Sequence, residues 1–179
     1  SNGQTITIPV GQSSASSAPF AVRADDAYAQ GTQTLAVTIT GTSGGNYEAV
    51  TPTGAASTTV TDDADATTVT ITASTASVTE GGSITYTASV TNAVTVSPLV
   101  ITLTDGHTIT IPVGHSSASS AAYAVRADDA YVQGTQTLNV GIAGTSGGSY
   151  EALTTTSTAS TTVTDDADAT TVTISTTTA

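Results

Sequence analysis

The sequence predicts an all-β protein built of tandem immunoglobulin-like β-sandwich domains of about 103 residues each, and three observations carry that expectation. The chain repeats itself at a constant offset: Gly3 returns as Gly106, Tyr28 as Tyr131 and Asp62 as Asp165, always 103 positions on and without a gap. Across this offset, 58 of 76 positions are identical, which marks one unit duplicated within a longer array. Apolar residues alternate with Thr and Ser at period two, no window carries a helical stripe, and Gly, Ser, Asn and Asp clusters punctuate the chain at the spacing of short strands.

A period near 100 residues is too long for leucine-rich, ankyrin or tetratricopeptide units and suits one small domain per repeat, like beads on a string. The offset then sets the boundaries: 1–65 as the C-terminal part of one repeat, 66–168 as a complete repeat, and 169–179 as the first strand of the next. Within the complete repeat, strands are expected at about 68–73, 83–91, 98–104, 107–113, 118–126, 135–143 and 158–164. Alternation is plainest in Ser83–Val90 (SITYTASV) and Val100–Thr104 (VITLT). Asp105-Gly106, with Asn2-Gly3 in the first copy, reads as the centre of a type I′ hairpin, because both residues of that turn need positive φ. Thr on the wet faces and Val, Ile, Leu, Tyr and Ala inside give a thin sandwich with a modest core, the six tyrosines and Phe20 lying in it or at its rim.

Composition removes whole classes of function. Fourteen acidic residues stand against two arginines and no lysine, a formal net charge of −12. Nucleic acid is therefore not a natural partner, since phosphate binding needs Lys and Arg, and anionic lipid is disfavoured for the same reason. No apolar run approaches the roughly 18 residues of a membrane span, so no membrane insertion is expected in this segment. Cysteine is absent, so disulfide staples are too. An enzyme is not expected either: His107 and His115 correspond to Gln4 and Gln12 in the other copy, no thiol is available, and the serines sit in no recognised nucleophile motif.

The acids are where the sequence points to chemistry. Successive strands of such a sandwich alternate in direction, so the loops after strands one, three and five and the exit after strand seven share one pole, the one facing the next domain. Glu80 (TEGG), Asp128 and Asp129 (RADDAY), and Asp165, Asp166 and Asp168 (TDDADAT) are expected to converge there. Asp105 is a weaker candidate at the same pole, because the first copy has Asn2 in its place. Like charges gathered together repel unless a cation sits among them, and an all-oxygen donor set suits calcium (Ca2+) rather than zinc or copper, which favour His or Cys. The plainer alternative is a solvated acidic linker. Spacing fits neither an EF-hand nor a glycine-rich nonapeptide calcium repeat. Arg23 and Arg126, just before the Asp pairs, are expected to form ion pairs that hold that loop. Glu48, Glu151 and Asn92 fall at the opposite pole, in solvated loops or, as a second reading, bridging to the preceding linker.

The string TDDADATTVTITASTASVTEGGSITYTASVTNA, with TITIPVG, VRADDAYVQGTQTL and TSGGNYEA, resembles the extender repeats of giant bacterial adhesins, the LapA-type and RTX-adhesin class, over the whole chain. That resemblance implies type I secretion to the extracellular bacterial cell surface, calcium at domain junctions, and a fibre that projects terminal binding domains for attachment and biofilm formation. Its calcium ligands carry over to Glu80, Asp128, Asp129, Asp165, Asp166 and Asp168, and to Asp25, Asp26, Asp62, Asp63 and Asp65 in the first copy. The partners implied are neighbouring repeats of the same chain, with other fibres or a host or abiotic surface reached through domains outside this segment. The alternative is that each repeat is itself a ligand-binding or homophilic adhesive module acting through its Thr-rich faces.

Overall fold

A computed structural model describes residues 1–177 and resolves the chain into two compact units, Ser1–Ala64 and a second beginning at Asp65. No helix occurs among the described residues. In the first unit, β1 (Gln33–Thr38) pairs antiparallel with β2 (Ala55–Val60), Gln33 opposite Val60 and Thr38 opposite Ala55.

The second unit holds β3 (Ala66–Ala73), β4 (Ser77–Thr79), β5 (Ser83–Ile84), β6 (Tyr86–Val90), β7 (Leu99–Leu103) and β8 (Thr108–Ile111). They are followed by β9 (Ser117–Ser119), β10 (Tyr123–Ala124), β11 (Gln136–Gly147), β12 (Ala152–Thr154) and β13 (Thr158–Thr164). One sheet orders β4-β13-β11-β7-β8 and the other β12-β3-β6-β9, with β5 and β10 paired separately. Period-two patterning decides which face each strand buries. Val69 and Ile71 of β3 and Tyr86, Ala88 and Val90 of β6 point inward against Leu99, Ile101 and Leu103 of β7 and Ile109 and Ile111 of β8, in one core cluster. Each such fully buried aliphatic contributes about 1.5–3 kcal/mol relative to exposure, which is how so few aromatics suffice. The hydroxyls of the two buried threonines are satisfied: Thr67 accepts from Asn92 Nδ2 at 2.9 Å, and Thr161 donates to the Thr75 carbonyl at 2.8 Å.

Several elements depart from the sequence expectation. The first strand ends at Ala73 as expected, but the chain then crosses to the other sheet, where an unexpected strand, β4, runs parallel to β13 (Val78 opposite Val163). The expected strand at 118–126 is broken into β9 and β10, and β12 pairs parallel with β3 where no strand was expected. β11 runs on to Gly147, pairing first with β13 and then, from Ile142 and across an irregularity between Ile142 and Gly144, with β7.

The Asp105 turn is not type I′, because Asp105 does not have positive φ; Asn46 and Ser149 are the non-glycine residues that do among those described. Gly106 N–H donates to the Leu103 carbonyl at 3.0 Å, and Leu103 N–H to the His107 carbonyl at 2.8 Å. With Gly106 at φ 88, this is an ordinary turn closed by a glycine bulge. The Asp105 carboxylate accepts the His107 amide at 3.0 Å, as Asn2 accepts that of Gln4 at 3.1 Å in the first unit, so a side chain rather than backbone handedness selects the turn.

Not every aromatic is interior: Tyr86 is buried and Tyr123 and Tyr150 are half-buried, but Tyr47 and Tyr131 are exposed. Ile6 and Ile8 are exposed in the first unit while their counterparts Ile109 and Ile111 are buried. Residues 1–64 correspond only to 104–167, so the partners that β3, β6 and β7 supply in the second unit have no counterpart among them. Residues 169–177 are exposed and form no strand; of the strand expected over 169–179, Thr178 and Ala179 lie outside the described residues.

Candidate metal centre

Three loops of the second unit meet at one end of the sandwich. Glu80 follows β4, the Arg126–Gly134 loop follows β10, and Asp165–Asp168 follows β13. Backbone bonds lock them together: Glu80 N–H donates to the Thr164 carbonyl at 2.9 Å, and Gly81 N–H to the Arg126 carbonyl at 2.8 Å. Gly81 permits this approach. It holds φ +72, and a Cβ there would lie 2.8 Å from Asp128 Cβ.

Glu80, Asp128 and Asp166 each present a carboxylate oxygen, all within 4.8 Å of one another. Two oxygens on one calcium ion, at about 2.3–2.6 Å each, can stand no more than about 5 Å apart, so one ion can reach all three. Glu80 is buried at 5 % exposure and its Oε2 accepts Arg126 Nε at 2.7 Å, while its Oε1 is buried without a hydrogen-bond partner. A carboxylate oxygen left so is costly unless something positive completes it. The donor set holds no His or Cys, so these residues fit a hard cation and could hold a metal ion.

Asp165 and Asp129, also at this pole, accept from the Arg126–Gly134 loop. Asp165 Oδ2 accepts the Gln133 amide at 2.9 Å and the Gly134 amide at 3.4 Å, and its Oδ1 lies 3.5 Å from Arg126 Nη2. Asp129 accepts the Tyr131 amide at 2.8 Å and the Gln133 side-chain amide. Arg126 thus ties Glu80, Asp165 and the Gly134 carbonyl (3.0 Å) into one loop. Asp105 belongs to a separate set with His107 and Tyr123.

The first unit repeats this geometry on its own residues. Arg23 binds Asp62 at 2.7 Å and the Gly31 carbonyl at 2.9 Å, Asp62 accepts the Gln30 amide at 2.7 Å, and Asp26 accepts the Tyr28 amide at 2.9 Å. Asp25 and Asp63, the counterparts of Asp128 and Asp166, again bring carboxylate oxygens within 4.8 Å. Asp65 opens the second unit, where its amide donates to Glu151 Oε2 at 2.6 Å; Glu151 therefore grips the backbone that enters the repeat. Sequence reasoning missed Gln133 and Gly134 as supports of the site. Their signal was present, since AYxQGTQ occurs in both copies.

Electrostatics divide these acids. Burial, then contact with Asp165, pushes Glu80 above the ordinary carboxylate range despite Arg126. Asp168 is pushed up chiefly by the charge of Asp128, then by burial and by Asp166. Asp165 is held down by the Gln133 amide first, with Glu80, Gly134 and Arg126 adding to it. In the cation-free state, Glu80 and Asp168 therefore cost the fold stability as pH rises through the carboxylate range. The contribution of Asp165 is present above its unfolded value and is lost as pH falls through its lowered one. A bound cation would take the place of the protons on Glu80 and Asp168, so its affinity should fall as pH falls.

Comparison with known proteins gives one match. A family model described as LapA domain fits residues 1–63 and again residues 65–167. No curated protein and no solved structure matches the chain.

Proposed function

We propose that this chain, which belongs to the LapA domain family, is a run of extender repeats of a bacterial cell-surface adhesin, a spacer that calcium stiffens at its domain junctions. The family is adhesin-related and in general non-enzymatic. One observation carries the calcium reading: Glu80, Asp128 and Asp166, from three separate loops, each offer a carboxylate oxygen within 4.8 Å of the others, and the Glu80 among them is buried.

The mechanism follows from where these residues lie. Asp166 and Asp168 sit on the segment that leads out of the repeat, whereas Glu80 and Asp128 belong to its body. Without a cation their mutual repulsion leaves the exit segment loose; an ion bound to all of them pins it to the body and stiffens the junction. At about 3.3 Å per residue, the twelve-residue β11 that runs the length of the sandwich would extend the fibre by roughly 35–45 Å per repeat, loops included. Extracellular modules bind calcium at about 10⁻⁴–10⁻³ M, so the sites fill outside the cell and stay empty in the cytosol. A tether that stays loose until it is exported, then stiffens, would carry terminal binding domains toward a surface and support biofilm formation.

Calorimetric titration of the chain tests this reading. Calcium should bind saturably with Kd about 10⁻⁴–10⁻³ M, magnesium more weakly, and calcium affinity should drop as pH falls and Glu80 and Asp168, both raised above the ordinary carboxylate range, take up protons. Asp166→Asn should weaken binding at the complete site by roughly tenfold. Equal heats for both metals, or an unchanged affinity in Asp166→Asn, would contradict the assignment.

A further inference from the structure

We infer that the complete repeat carries a subsite for a neutral saccharide, in a side groove lined by Tyr86, Asp105, His107, Tyr123, Gln136 and Asn139. The groove is shallow and open to solvent and offers about 640 Å³, room for a sugar ring laid on its surface. It adjoins the acidic pole through Arg126, but none of the three clustered carboxylates lines it and the inference does not rest on calcium.

The strongest indication is Tyr86. It lines the floor of the groove with its side chain fully buried, its ring packs 5.5 Å from that of Tyr123, and its buried hydroxyl has no hydrogen-bond partner. A buried hydroxyl in that state is short of an acceptor that a ligand would supply. Burial, then the charge of Asp105, pushes the Tyr86 phenol up, so it stays a donor.

Beside it, Asp105 organises an aromatic platform. Its Oδ2 accepts Tyr123 OH at 3.1 Å and lies 3.2 Å from His107 Nδ1, and its Oδ1 accepts the His107 amide at 3.0 Å. The imidazole stacks on Tyr123 with centroids 4.2 Å apart and planes 13° from parallel, and the His107 side chain remains 47 % exposed. With Nδ1 directed at Asp105, Nε2 is left to accept from a ligand hydroxyl. Gln136 and Asn139 of β11 also line the groove and add polar groups to it.

Charge decides the ligand class. Asp105 is the one carboxylate lining the groove and Arg126 the one guanidinium, so the lining is balanced although the chain carries −12. A balanced lining of hydroxyls, amides and a stacked aromatic pair matches a polyhydroxylated ring better than an anion or a cation. The two copies differ here in a consistent sense. Asn2, Gln4, Phe20 and Ala36 of the first copy become Asp105, His107, Tyr123 and Asn139, positions far apart in sequence that meet on this groove.

Heteronuclear NMR of the chain in chelator tests the inference, with D-glucose, D-galactose, D-mannose and N-acetyl-D-glucosamine as probes and glycerol as control. At least one sugar should give saturable shifts confined to the His107 ring and the amides of 123–125 and 136–140, with Kd about 10⁻³–10⁻² M for a single open subsite. Tyr86→Phe keeps the ring and removes an unpartnered hydroxyl, so it should melt no lower than the parent yet bind roughly fivefold more weakly. His107→Gln, which installs the first copy's residue, should also weaken binding. Absence of saturable shifts with all four sugars, equal shifts with glycerol, or unchanged affinity in both variants would overturn it.

Discussion

In about 10 mM calcium the complete repeat should melt about 10–20 °C above its midpoint in chelator, and magnesium should not reproduce the shift. The size follows from mass action. A site of Kd about 10⁻⁴ M at a hundredfold excess of ion stabilises the folded state by about 2.7 kcal/mol, and each kcal/mol moves a domain of this size by about 4–8 °C. Thermal scans by circular dichroism read it directly. Glu80→Gln retains an acceptor for Arg126 Nε while removing the carboxylate charge, so most of the calcium shift should disappear while the chelated protein folds as before. A shift of equal size in magnesium, or one that survives Glu80→Gln, would make the acidic pole a solvated linker and no more.

The second large effect lies in the backbone at the far end of β11. Gly147 holds φ +78, and a Cβ there would stand 2.1 Å from the Pro98 carbonyl oxygen. No rotamer change relieves a clash with backbone, so β11 and β7 must separate where Gly147 faces Leu99. Gly147→Ala should therefore cost at least about 3 kcal/mol, combining left-handed strain with lost pairing. Its counterpart Gly44, at φ +76 with nothing within 4 Å, should cost only the strain, about 1–2 kcal/mol as alanine. Urea unfolding of the two variants, each followed in the unit that carries it, should separate them. Equal costs would mean that the approach to Pro98 is not what selects glycine.

Much of this was legible before any coordinates. Period-two alternation identifies strands because one sheet face is wet, so Leu99, Ile101 and Leu103 announce β7 and its inward face together. What the sequence concealed was pairing. β4 is only Ser77–Thr79, and its parallel alignment with β13 is set by the preceding strand crossing between sheets, which no local pattern records. The Asp105 turn misled because Asp-Gly satisfies two turn types; the carboxylate accepting the His107 amide decides between them, and that is a three-dimensional fact.

The site divides in the same way. Strand direction gathers Glu80, Asp128 and Asp166, so alternation alone leads to that pole. Which acids face a cation and which accept loop amides depends on where the Gln133 and Gly134 N–H groups point, and Asp165 is drawn to them. Acidic spacing cannot distinguish those roles. The groove beside Tyr86 was invisible in sequence because its wall comes from β6, the turn between β7 and β8, β10 with the loop after it, and β11 at once.

Small-angle X-ray scattering from two complete repeats in tandem tests the central claim most directly, since stiffening is a statement about distance. In millimolar calcium the pair should scatter as an extended rod with a maximum dimension of about 70–90 Å. In chelator, and in calcium after Asp128→Asn with Asp166→Asn, it should give a broader and shorter distance distribution. Superimposable curves in calcium and chelator would contradict the account, because acids that bind no ion cannot stiffen a tether.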